Sequence, residues 1–294
     1  MSMTPVISPL TNLRIKMEHL NPGGSHKSRA ARYIIESAIV AGELRPGGPR
    51  RILEKSGGNF GIGLAYEAAK HDIGVDLVIG LSFSPLKRVL CQEYGARLVG
   101  LDLLHQGMQP KDVVATLLAA DANRYFFTNQ FANPGNFEAH LHETGPEIVQ
   151  QVRADLDRFA GCSLVLGAGT GAHAAALATV LRESCAVVEL VLVEPENCSF
   201  AEGRFGDHAQ KGTAVGVLPP FLDFAHVDRI IPVSDAEAFE GQKRFARETG
   251  FYPGPTSGAN YHLACQNAAT SPERLVISMI YDAGDCYLDQ RISA

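Results

Sequence analysis

The stretch CSLVLGAGTGAHAAAL, residues 162–177, decides the fold class. Its first half is a mostly apolar run, which suits a strand buried on both sides of a parallel sheet. Glycines then turn the chain, and small residues follow at helical spacing. Gly167, Gly169 and Ala172 match G-x-G-x-x-A between a strand and a helix. Side-chain-free backbone at such a turn lets amides and a helix N-terminus meet an anion. Glu194 ends the next apolar run, near the spacing of a ribose-binding acid. The pattern specifies an anion. It leaves open a dinucleotide, a nucleotide-type methyl donor, or plain packing of strand on helix.

The same alternation extends outward in both directions. Before this stretch, RRILE (50–54), VDLVIGL (75–81), ARLVGL (96–101) and RYFFTN (124–129) read as strands. Helical patterns lie between them: NFGIGLAYEAAKHD, SPLKRVLCQEYG with Ser84-Pro85 as cap and first-turn proline, and about 109–120. After a helix near 144–157, the strands continue with AVVELVLVEPE, DRIIPVS and RLVISMIYD. Helices from TGAHAAALATVLRES, DAEAFEGQKRFARETG and SGANYHLACQNA separate them. Two βαβ series in tandem predict an α/β protein of two domains, each a mostly parallel twisted sheet flanked by helices.

The bulk numbers agree. The chain has 294 residues, 46% hydrophobic and 20% charged, with a formal net charge of −6. That balance suits a soluble globular protein and argues against a general nucleic-acid binder. No apolar run approaches the roughly 20 residues that span a membrane, and no signal pattern opens the chain, so a cytoplasmic protein is expected. Six scattered cysteines suit reduced, packed thiols. His140, His142 and Glu143 read as a partly exposed helix start, and no metal is expected.

Two further glycine turns carry chemistry. EKSGGNFGIGLAYEAA (54–69) again follows a strand and opens a helix, a nest for a carboxylate or phosphate. In MEHLNPGGSHKSRAARYIIESA (17–38), the loop of Asn21, Pro22, Gly23 and Gly24 delivers Lys27 to a helix start. An amine held in a dry cleft at a helix N-terminus loses its proton more easily and can attack a carbonyl.

Together these motifs resemble the fold-type II pyridoxal-phosphate enzymes, tryptophan synthase β-like in fold and most similar to the cysteine synthase and cystathionine β-synthase group. The family's KxExxNPxxSxKxR pattern stands here as Lys16, Glu18, Asn21, Pro22, Ser25, Lys27 and Arg29. SGGNFGIGLA is similar to its TSGNTGIGLA loop, NQFANPGNFEAHLHETGPEI (129–148) to its QFxNPxNxxxHxxxTGPEI segment, and GTGAH (169–173) to its GTGGT. VEPE, GVLPPFL, PTSGAN and DAGDCYL follow in the family's order, so the likeness runs from about residue 4 to 288.

The resemblance implies pyridoxal 5'-phosphate as cofactor and Lys27 as Schiff-base lysine and proton shuttle. Asn59 would meet the cofactor's 3-oxygen. Ser56, Gly57, Gly58, Phe60 and Gln130 would form the substrate-carboxylate site. Gly169, Thr170, Gly171, Ala172 and His173 would cradle the phosphate. It implies a smaller, mobile substrate-binding domain over 21–145 and a larger cofactor-phosphate domain over 146–294, joined by the segment 1–20. The expected function is β-replacement on an activated serine through an aminoacrylate, specialised for an unusual amino acid. The expected partners are a small amino-acid substrate, a small nucleophile and a second copy in a homodimer. A β-eliminating lyase shares every motif, and a weakened regulatory homologue is a third reading. A Rossmann oxidoreductase leaves Lys27, Asn59 and Gln130 unexplained.

The departures fall at contacting positions. Gly57 and Phe60 replace a serine and a threonine, which removes two hydroxyls and places an apolar ring at the substrate. Ala172 and His173 replace a glycine and a threonine, and offer an imidazole to the phosphate. Ala283 stands where the family has the serine beside the pyridine nitrogen, so Asp282 or Cys286 would have to supply that partner.

Overall fold

A computed structural model describes residues 3–288. In chain order the elements are β1 (Val6–Leu10), β2 (Leu13–Met17), α1 (Lys27–Val40), β3 (Arg51–Glu54), α2 (Asn59–Ala69), β4 (Val75–Leu77), α3 (Pro85–Glu93) and β5 (Arg97–Leu98). Then come α4 (Leu101–His105), α5 (Pro110–Ala120), β6 (Tyr125–Phe127), α6 (Gly135–Ala139), α7 (Gly145–Leu156), β7 (Cys162–Gly167), α8 (Ala172–Ser184) and β8 (Val188–Pro195). The last are β9 (Arg229–Val233), α9 (Asp235–Thr249), α10 (Pro255–Thr270) and β10 (Leu275–Ile280).

The chain divides into two compact units, one of residues 3–20 and 137–285, the other of 21–136 and 286–288. In the first, six strands run in the order β1-β2-β10-β7-β8-β9, all parallel except β1, which pairs antiparallel with β2. Its central strand β7 is fully buried, and its one polar side chain, Ser163, donates to Glu189 Oε2 at 2.8 Å. Helices α9 and α10 meet at two glycines. A Cβ on Gly241 would stand 2.1 Å from the Gly258 carbonyl oxygen, so only glycine permits that approach. In the second unit, four parallel strands run β5-β4-β3-β6. A core including Ile34, Ile35, Ile52, Leu64 and Leu77 lies between this sheet and its helices.

Several elements differ from the sequence reading. The run 75–81 keeps only Val75–Leu77 as strand; the Val78 amide still donates to the Glu54 carbonyl at 3.0 Å, and Val78 and Ile79 are buried. In 96–101, pairing ends at Leu98 and α4 follows a left-handed Gly100. The segment 3–20, expected only to join the domains, forms two strands of the six-stranded sheet. Residues 137–145 belong with the six-stranded unit, because the turn His140–Thr144 packs on α8. His140 is fully buried and bonded through Nδ1 to Thr144 Oγ1 at 2.9 Å, whereas His142 is exposed, so the partly exposed helix start describes only the second histidine. All six cysteines are free thiols. Among the described residues no helix is long and apolar enough to cross a membrane, and no group of side chains has the makings of a metal site.

Candidate active site

In the four-stranded unit, Lys27 is the first residue of α1. The loop before it needs glycine twice: Gly23 and Gly24 have φ of 77° and 76°. The Gly24 amide donates to the Asn21 carbonyl at 2.8 Å, the Ser28 hydroxyl closes back on the Pro22 carbonyl, and the Lys27 amide donates to Ser25 Oγ at 3.3 Å. Gly63 of α2 lets that helix approach α1, since a Cβ there would lie 3.1 Å from Ser28 Cα. The Lys27 backbone is therefore fixed by its own loop and by the close approach of α2. Burial lowers its pKa from 10.5 to about 8. A free amine is then available at neutral pH to an extent that a surface lysine never reaches.

The second loop of this unit, Ser56 to Phe60, opens α2. Ser56 Oγ accepts from the Gly61 amide at 3.2 Å, so this hydroxyl also holds the first turn of the helix. Among the described residues, the Gly58 and Phe60 amides find no protein acceptor, and with the helix N-terminus they form a donor set suited to a carboxylate. Gly57 is a steric necessity: a Cβ there would stand 2.4 Å from Ile79 Cγ2 and 2.9 Å from Phe83 Cδ1. The missing serine hydroxyl is thus the counterpart of an apolar wall. Phe60, expected at the substrate, is 2% exposed and packs in the core of its unit.

A residue that motif reading missed ties this loop to Gln130. Glu54, at the end of β3, is buried with three donors on its carboxylate. Oε1 accepts from the Lys55 amide at 2.9 Å, and Oε2 from Thr128 Oγ1 at 2.6 Å and the Gln130 amide at 3.3 Å. Burial raises its pKa, while these three bonds oppose the rise. Its only sequence signal is a carboxylate ending an apolar strand. Asn136 Nδ2 donates to the Gln130 carbonyl at 2.8 Å and completes the loop.

In the six-stranded unit, β7 runs into the turn Gly167–Gly171 before α8. Gly171 is buried with φ of 81°, and a Cβ on it would lie 2.7 Å from Leu222 Cγ. A Cβ on Gly169 would lie 2.5 Å from the Gly212 carbonyl oxygen. Among the described residues, neither glycine's amide meets a protein acceptor. Side chains outside the motif hold the turn. Asn260 Oδ1 accepts from the Gly167 amide at 2.8 Å, and Thr213 Oγ1 accepts from the Ala168 amide at 3.0 Å. The Tyr281 hydroxyl donates to the Gly167 carbonyl at 2.9 Å, so His173 Nε2, 2.8 Å away, must donate to it. The imidazole expected at the phosphate thus spends this nitrogen on the frame of the turn. Side-chain-free amides at the start of a 13-residue helix, buried at Gly171 and half-buried at Gly169, fit a phosphate group.

At the end of this unit, the Asp282 carboxylate points to the start of α10. Its Oδ1 accepts from Ser257 Oγ at 3.4 Å, and it faces Gly254 so closely that a Cβ there would stand 2.1 Å away. Ala283 pairs by backbone with Pro253, and its methyl offers no hydrogen bond. Cys286 falls in the other unit. Glu194, at the spacing of a ribose-binding acid, instead anchors the following loop by accepting from the Phe200 amide.

The family model described as "Pyridoxal-phosphate dependent enzyme" matches residues 3–282. The chain belongs to that family. The enzyme is 32% identical over 278 residues to the cysteine synthase of Helicobacter pylori, covering 94% of this chain and 88% of that one. It is 31% identical over 278 residues to the O-acetylserine dependent cystathionine beta-synthase of Bacillus subtilis, with the same coverage. Among solved structures, an O-ureido-L-serine synthase superposes with a TM-score of 0.86 at 31% identity, over 97% of this chain and 90% of that one. The enzyme is pyridoxal-phosphate dependent and has the two-sheet α/β architecture of these relatives. The two glycine turns and the deprotonatable amine described above are what such a cofactor requires of its protein.

Proposed function

We propose that the enzyme replaces the β-substituent of an activated serine, of the O-acetylserine or O-phosphoserine type, with a small sulfur or nitrogen nucleophile. The reading is cysteine synthase-like, with specialisation toward an unusual amino acid. The observation that carries it is Lys27, an amine placed by a glycine loop and brought by burial to a pKa of about 8. Relatives named as synthases that act on O-acetylserine or make O-ureido-L-serine support the substrate class.

When bound, pyridoxal phosphate supplies an electron sink for negative charge at the substrate α-carbon. Lys27 anchors the cofactor at rest, and in turnover takes and returns the α-proton. Ser56, Gln130 and the amides from Gly57 to Phe60 hold the substrate carboxylate. Asn59 donates to the ring oxygen. Gly169, Thr170, Gly171, Ala172 and His173 hold the phosphate, chiefly by backbone amides. Ala283 carries a methyl where the family has a serine, and Asp282 is turned to α10, so Ala283 would offer the ring nitrogen no hydroxyl. The enzyme is taken to work in the cytoplasm as a homodimer, which sedimentation at twice the chain mass would check.

The test is direct. Purified enzyme is reduced with borohydride and peptide-mapped, then assayed with O-acetylserine, O-phosphoserine and serine against sulfide and amine nucleophiles. Label on Lys27 and a new amino acid whose yield follows added nucleophile are expected. Label elsewhere refutes the role of Lys27. Pyruvate and ammonia released regardless of nucleophile would make the enzyme a lyase.

A further inference from the structure

The four-stranded unit contains a buried lysine besides Lys27 that no motif singles out. Lys87 lies in the first turn of α3 and is only 5% exposed, with its amide capped by Ser84 Oγ at 3.3 Å. Its ammonium donates to Asn59 Oδ1 at 3.1 Å and lies 3.7 Å from the centroid of the Tyr287 ring, a cation–π distance. Cys91, one turn along α3, is also beside it, and burial pushes that thiol up to about 12, so it stays neutral.

The chemistry of this contact is one-sided. A lysine ammonium has three donors and no acceptor, so the carboxamide atom that meets it must be the oxygen. The flip of Asn59 is thereby fixed, and its other end is an NH₂ group that can only donate. A donor-only end suits an anionic oxygen, whereas a flipped amide would present a second oxygen and repel it. We propose that Lys87 is a positioning residue: it locks the Asn59 carboxamide so that its NH₂ serves the cofactor's ring oxygen, and through that amide its charge favours the ionised form of the oxygen. This rests on the reading of Asn59 as the ring-oxygen partner.

The holoenzyme tests it without reference to turnover. The wild type, Lys87→Met, Lys87→Arg, Asn59→Ala and the Lys87→Met/Asn59→Ala double variant are compared. The measurements are the pH midpoint of the bound cofactor's visible absorbance and the cofactor dissociation constant by dialysis. Lys87→Met should raise the midpoint by about one pH unit and loosen the cofactor about tenfold, the scale of losing one charge-assisted contact. Lys87→Arg should restore most of both, and Lys87→Met should add nothing once Asn59 is alanine. If Asn59→Ala shifts the midpoint and Lys87→Met does not, Lys87 has no such role while Asn59 keeps its own. Should Asn59→Ala itself change nothing, the reading of Asn59 fails and the inference with it. An equal further shift in the double variant would show Lys87 acting independently, which also overturns the proposal. If Lys87→Met does not fold, Lys87→Gln, which allows the amide to flip, carries the same comparison.

Discussion

An amine that attacks a carbonyl must first give up its proton, and the structure makes Lys27 do so by burial. The same shift affects stability. Between pH 8 and 10.5 the unfolded chain holds a proton on Lys27 that the folded, cofactor-free protein has released, so stability rises with pH across that window. Urea unfolding of cofactor-free protein should show a gain on the order of 2 kcal/mol from pH 8 to 10.5 that Lys27→Met abolishes. A pH-independent difference between the two proteins would mean that the lysine is not desolvated. Phe60 is the residue whose meaning changed most. It stands in the substrate motif, but its ring is in the core. Phe60→Thr should therefore cost about 3 kcal/mol and leave kcat/KM for small serine derivatives unimproved. A gain in kcat/KM would put the ring back at the substrate. Gly57→Ser should fail sterically against Ile79 and be partly rescued by Ile79→Ala.

At the scale of elements, β3 is the hinge between two loops. Glu54 receives three hydrogen bonds and has no place for a donor of its own. Glu54→Gln brings an NH₂ against a backbone amide that cannot turn away, and one loop must release. KM for the amino-acid substrate should rise about tenfold with kcat much less affected, because carboxylate binding and not proton transfer is disturbed. An unchanged KM would show that Ser56 and Gln130 do not share a ligand. The βα turns at 54–60 and 167–172 were legible in the sequence because glycine there answers a local demand: positive φ at Gly171, or contact at Gly57 and Gly169. Glu54, Asn260, Thr213 and Tyr281 were not, because each acts on a partner at least 45 residues away, for which adjacent sequence holds no pattern. The hairpin β1–β2 escaped for a similar reason, since β2 is a strand by virtue of β10, at the other end of the chain.

That long-range pairing gives the two lysines of one motif separate duties at the scale of the whole molecule. Lys27 belongs to the four-stranded unit and to the chemistry. Lys16 lies in β2 of the six-stranded unit with its side chain fully buried. Its ammonium donates to the Thr4 carbonyl at 2.7 Å, Glu147 Oε2 at 2.8 Å and Gln151 Oε1 at 2.8 Å, which fastens the first strands to α7. Arg14 adds a bond from Nε to Asp155 Oδ2 at 2.7 Å on the same helix. Removing one member of a fully buried ion pair costs about 3–5 kcal/mol, and Glu147, which is partly exposed, brings the expected loss below that range. Lys16→Met should therefore lower the urea midpoint while the folded fraction keeps its cofactor absorbance and its kcat. Lys27→Ala should do the reverse, sparing the fold and abolishing borohydride label and turnover. Loss of kcat in folded Lys16→Met would show that the N-terminal strands reach the chemistry and do more than hold the six-stranded unit together.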